Sequence, residues 1–182
     1  MSAVRVDLMA SAAGKIGGVA WHHLFIVAAE ASGGQSYLRA GPQCLPIERL
    51  AGRKTRLGDA LEDYEPSPAG PHGVITLSSG AYEPGAPDFD PAAASVTLAS
   101  ANAAAQLWEK LQQAAQALGA EGIAYDPTGK GANWAIAELL RRCGLEPELP
   151  PKRWAPGAGA LPVEASEQAV GTRRLGQAVA VA

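Results

Sequence analysis

The sequence predicts an α+β chain in which a mainly antiparallel sheet packs against helices. Three observations predict it. Strand-like segments come as a block in the first half and helical periodicity as a block behind them, the segregated order of an α+β fold rather than the alternation of a parallel sheet. "VAWHHLFIVAAE" (Val19 to Glu30) is dense in β-branched and aromatic residues, and turn chemistry in "ASGG" and a returning "QSYLRAG" follow it at once. The composition, 47% hydrophobic and 18% charged over 182 residues, suits a packed core and lies far from that of a disordered chain.

Each element then has its own signal. Val4 to Met9 alternates weakly and reads as a first strand. Val19 to Glu30 is the second, and "QSYLRAG" is its hairpin partner. From Pro42 to His72 the pattern dissolves into Pro, Gly and charge, a long surface excursion. Within it "GRKTR" (Gly52 to Arg56) is followed by "DALEDYE", a pair that reads as a solvated loop. "GVITLSSG" (Gly73 to Gly80) and "ASVTLAS" (Ala94 to Ser100) are two more short strands, separated by the proline-rich "YEPGAPDFDP". Ser100 can cap a helix whose apolar stripe is Leu107, Trp108, Leu111, Ala115 and Leu118, with Gly119 as its stop. A second helix runs from about Asn133 to Arg142. Ile136, Leu139, Leu140 and Cys143 line one face, Arg141 and Arg142 sit at the negative end of the dipole, and Gly144 ends it. After Pro150, "PKRWAPGAGALP" can pack through Trp154, and Val163 to Ala182 reads as a weakly ordered tail. Residues 1–160 are expected to form one α+β domain and residues 161–182 an Ala/Gly-rich extension.

Composition also excludes function classes. A formal net charge of −3 argues against a dedicated nucleic-acid binder. No stretch approaches the ~20 apolar residues that span a bilayer, so no membrane partner is expected. The start carries Arg5, Asp7 and Lys15 and lacks an apolar core, so no cleavable secretion signal is read there. Two cysteines, Cys44 and Cys143, make neither a disulfide framework nor a zinc site. The expectation is a chain that is cytoplasmic at synthesis, without metal or cofactor, and exported, if at all, by a route independent of a signal peptide.

Candidate sites divide into weak and informative. "GKGANWAIAELLRRCGL" looks like a glycine-rich loop feeding a helix, but a phosphate loop needs a glycine five residues before the Gly-Lys pair and a Ser or Thr after it. Ala124 and Gly131 stand at those places, so the nucleotide reading is rejected. Cys143, on the apolar helix face, reads as a small buried hydrophobe. Cys44, in "GPQCLP", is a candidate exposed thiol with nothing nearby in sequence to lower its pKa. Asp88 and Asp90 of "DFDP" read as turn formers rather than metal ligands. The double histidine says more. Neighbours on a strand face opposite ways, so His23 shares a face with Phe25 and Val27, and His22 shares the other with Leu24 and Ile26. A histidine opening an apolar strand can be held as rigidly as a general base must be.

Two stretches together resemble a known group. "HHLFIV" resembles the histidine strand of the permuted papain-like proteins, including the PPPDE and LRAT-like groups. "GANWAIAELLRRCGL" resembles their later Asn-Cys-Asn-x-Phe segment, in which the nucleophilic cysteine opens a helix, and "YLRAGP" resembles the strand after the histidine in bacterial members. Histidine precedes the nucleophile position, as in those families. The likeness spans Trp21 to Leu145 and rests on these short motifs and on element order. It implies a permuted papain-like fold and amide-bond hydrolysis by a cysteine peptidase or amidase, such as a bacterial effector toxin. The implied substrate is a peptide or peptidoglycan-like amide, with an immunity or other partner protein. Carried over, His23 takes the base position, Asn133 the asparagine after the nucleophile and Ala132 the nucleophile slot. Arg39 can orient the histidine or grip a carboxylate. Ala132 carries no nucleophile and Gly131 replaces the leading asparagine. An engineered replacement, a natural member that binds without cutting, and a purely structural helix start all remain open. The alternative from another class is a non-catalytic peptide-binding or structural interaction domain.

Overall fold

Among the described residues five strands pair in the order β4-β3-β2-β1-β5, every neighbouring pair antiparallel, and two helices pack on the sheet. The computed structural model describes residues 3–16, 18–43, 72–127 and 129–159. Cys44, the Gly52 to Arg56 cluster and residues 161–182 lie outside the described residues. The strands are β1 (Ala3–Ile16), β2 (Val19–Glu30), β3 (Gln35–Pro42), β4 (Ile75–Ala81) and β5 (Ala94–Ser100), and the helices α1 (Asn102–Ala120) and α2 (Ala132–Arg142). The α+β class is as the sequence predicts.

The differences lie at the ends of elements. β1 continues well past Met9, because "ASAAGKI" pairs with the front of β2 from Ala10↔Leu24 to Ile16↔Val19, with one register shift between Ala12 and Gly14. Small residues without alternation hide this extension, and only the partner strand specifies it. β4 begins two residues later than predicted. Val74 instead bridges Ala124, with Ile75 N donating to Ile123 O and Tyr125 N to Gly73 O. The cap of α1 is Ala101, in the left-handed region at φ 53, rather than Ser100, and Gly119 lies inside the helix. The end of α2 follows prediction. Gly144 adopts φ 81 and donates to Arg141 O, while Leu145 N donates to Leu140 O, the paired bonds that terminate a helix on a left-handed glycine.

Alternation gives the sheet two apolar faces. Val6, Leu8 and Ala10, Leu24, Ile26 and Ala28, and Leu38 and Ala40 form a core with Trp108, Leu111, Leu118, Ile136, Leu139 and Leu140 of the helices. Their partners in alternation, Phe25, Val27 and Tyr37, pack under the β4–β5 connection through Tyr82 and Phe89. "YEPGAPDFDP" is thus a lid on the second face. Tyr82 stacks obliquely on Phe25 and Phe89, with ring centroids 5.7 and 5.0 Å apart. Its hydroxyl donates to Asp90 O and accepts from Asp90 N, each at 3.1 Å.

Candidate functional site

The site forms where β2 and β3 part. Their pairing runs from Ala29↔Gln35 to Ile26↔Leu38. Nearer the start of β2, the edge at His22 and Leu24 meets no strand among the described residues on that side, and its polar backbone groups need other partners. Helix α2 supplies most of them. Asn133 Oδ1 accepts from Leu24 N at 2.8 Å, and its Nδ2 donates to His22 O at 2.9 Å. One carboxamide therefore stands in for a missing neighbour strand. His22 N is completed by Trp154 O at 2.8 Å. These bonds seat the start of α2 on the backbone either side of His23.

The histidine strand and the helix start therefore meet, though not face to face. Ala132 is buried among the core residues between sheet and helices. His22 takes that face as well; it is buried, with its Nδ1 3.3 Å from Trp154 O. Burial lowers the His22 pKa below 6.5, the bond to Trp154 O opposes the shift, and the Arg153 charge adds to it. The imidazole of His23 turns instead to the lid. The placement required by the resemblance, with His23 aimed at position 132, is not what the strand's alternation delivers.

On the lid face His23 has partners that make chemical sense. Its Nδ1 lies 3.1 Å from Asp88 Oδ1, and Arg39 Nε lies 2.9 Å from Asp88 Oδ2. The second contact is one of charge rather than a directed hydrogen bond, since both atoms are enclosed and the N–H is turned off the oxygen. Burial would raise the Asp88 pKa, but the His23 hydrogen bond and the charges of His23 and Arg39 outweigh it and leave the carboxyl below its usual range. Asp88 sits at φ 60, a left-handed conformation that aspartate tolerates better than most side chains. Turn chemistry and site chemistry thus want the same residue there. Arg39 grips a carboxylate, one of the two roles foreseen for it. Asp88 itself was legible only as a turn former, because no local signal joins a proline-rich loop to a histidine three elements earlier.

An imidazole whose Nδ1–H is held by an ionised carboxylate presents the lone pair of Nε2 as a base. Side-chain exposures of 16% for His23 and 20% for Asp88 leave the group partly open. Cys143 is half-buried against the core, and burial raises its pKa, with Lys110 opposing, so its thiol is a packing group. Among the described residues, no cluster of three His, Cys, Asp or Glu side chains is placed to hold a metal ion. No helix there is long and apolar enough to cross a membrane. No family model, no curated protein and no solved structure matches this chain.

Proposed function

We propose that the chain is an acyl-transfer scaffold of the papain-like kind. His23 is the base, Asp88 fixes its tautomer and Arg39 anchors Asp88, all on the lid face, while Ala132, the nucleophile slot that the resemblance implies, lies on the helix face. The observation that carries this reading is the His23 Nδ1 contact with Asp88 Oδ1 at 3.1 Å, with Arg39 Nε 2.9 Å from the other carboxylate oxygen. Ala132 N and Asn133 N open a helix with no side-chain cap, the environment that stabilises a thiolate and then an oxyanion. With alanine at position 132 no thioester forms there. Peptide or peptidoglycan-like amides are the substrates that the resemblance points to, recognised without cleavage at this position.

The test is Ala132→Cys, made with Cys44 and Cys143 replaced and alkylated across a pH series. A thiol held below ~8.5 by the helix start and unchanged in His23→Ala is the result expected from the opposite-face placement, and a return to ~8.5 in His23→Ala would mean that the two groups meet. An ordinary thiol indifferent to His23 would leave the binding domain as the better account. That second reading is favoured by one observation, the alanine itself.

A further inference from the structure

The lid face holds a residue that neither the motifs nor the resemblance singled out. Ser11 of β1 is the direct cross-strand partner of His23, in the register that also pairs Met9 with Phe25 and Asp7 with Val27. Direct antiparallel partners share a face, with Cβ atoms about 4.5–5.5 Å apart. The alternation agrees: Val6, Leu8 and Ala10 enter the helix-side core, while Met9 packs with Phe25 and Tyr82. Ser11 is 8% exposed and its hydroxyl has no hydrogen-bond partner among the described residues. The pairing of β1 with β5 stops at Ala10↔Ala94, so Ser11 lies just beyond the first residue of β5.

These positions form a row across three strands. Arg39 stands on β3, Asp88 drops from the lid between, His23 stands on β2 and Ser11 on β1. Asp88 occupies Nδ1 of the imidazole and is backed by Arg39 of β3, and Ser11 stands on the β1 side. The charged side chains that alternation gives this face of β1, Arg5 and Asp7, are paired with each other at 2.8 Å, and Thr97 donates to Asp7 at 2.8 Å.

We infer that Ser11 is a nucleophile of this site, forming with His23 and Asp88 a serine-type acyl-transfer triad on the lid face. It rests on the reading of His23 and Asp88 as a base, but not on position 132. Ser11 Oγ adds to the carbonyl carbon of an ester or amide while its proton passes to His23 Nε2. The bond to the leaving alcohol or amine breaks as that group takes the proton from Nε2. Water, deprotonated by the same nitrogen, then frees the carboxylic acid from acyl-Ser11 and restores the hydroxyl. This route supplies catalysis in a chain whose helix start carries alanine.

Two parallel thiol series test it. Ser11→Cys and Ala132→Cys are each made without Cys44 and Cys143, with and without His23→Ala, and alkylated with iodoacetamide against pH. Ser11→Cys is expected to react tenfold or more faster at neutral pH than the same thiol lacking His23. A thiol at position 11 that titrates normally and ignores His23 overturns the inference, whatever position 132 does. A responsive thiol at 11 beside an ordinary one at 132 upholds the triad and removes the helix-start reading. In the protein with its own residues, a fluorophosphonate should attach to Ser11 and react about tenfold slower in His23→Ala. A labelling rate no different in Ser11→Ala overturns the inference as well.

Discussion

His22 and His23 are neighbours with opposite physical tasks. The ring of His22 is enclosed on the helix face, where burial and the nearby Arg153 disfavour its charged form. A histidine with a lowered folded pKa binds fewer protons folded than unfolded, so its contribution to stability is present above the unfolded pKa of about 6.5 and is lost as pH falls through the folded value. Replacing it by a side chain that keeps the bond to Trp154 O without titrating should remove that loss. His22→Gln is therefore expected to show a flatter dependence of urea midpoint on pH below 6.5 than the unsubstituted protein. A curve of unchanged slope would mean that His22 is solvated in the folded state. Asp88 adds an acid-side dependence of the same sign, since its carboxyl is also held below the unfolded value. Its loss lies below the ordinary value of 3.8, whereas that of His22 begins below 6.5.

At the scale of the element, the β4–β5 connection shows how a proline-rich loop becomes a rigid part. Phe89 and Tyr82 bury on Phe25, Val27 and Tyr37, and the Tyr82 hydroxyl satisfies both backbone groups of Asp90. Asp90 Oδ1 then accepts from Ala92 N at 2.9 Å, closing the following turn. Asp88, between these anchors, inherits their rigidity. Tyr82→Phe keeps the ring and deletes both hydroxyl bonds, which should cost about 1–2 kcal/mol. Amide exchange at Asp90 should quicken well beyond that of β2 amides in the same sample. Equal protection in the variant would show that the aromatic packing alone holds the loop.

For the whole molecule, Asn133 is the residue that joins the layers. Its carboxamide is buried and makes two bonds to the β2 backbone, so it fixes α2 against the sheet in position as well as in depth. Asn133→Ala leaves Leu24 N and His22 O buried without partners, and the expected loss is about 2–4 kcal/mol. An unchanged denaturant slope with a lowered midpoint would place that loss in the folded state. A loss under about 0.5 kcal/mol would mean that water replaces the amide and that the opening between β2 and β3 is wet. The segment after Pro150 reinforces the same seam. Ala155 and Ala158 are buried, and Arg141 donates to Ala158 O at 3.2 Å. It packs through these small residues and the Trp154 carbonyl more than through an indole anchor.

The sequence by itself determined which faces are apolar, because period and alternation are local properties. The stripe of α1, the two faces of β2 and the glycine stop of α2 could all be read from neighbours a few residues apart. It also determined that His22 and His23 point to opposite faces, and that position 132 has no nucleophile. Tertiary structure decided what each face meets. Asp88 reaches His23 only because the lid folds back over Phe25, and Ser11 stands beside His23 only because β1 runs on through its alanines. Asn133 became a strand substitute because β3 leaves β2 early. Each of these depends on the register of distant segments, which hydrogen-bond pairing and burial settle together and which no short window of sequence contains.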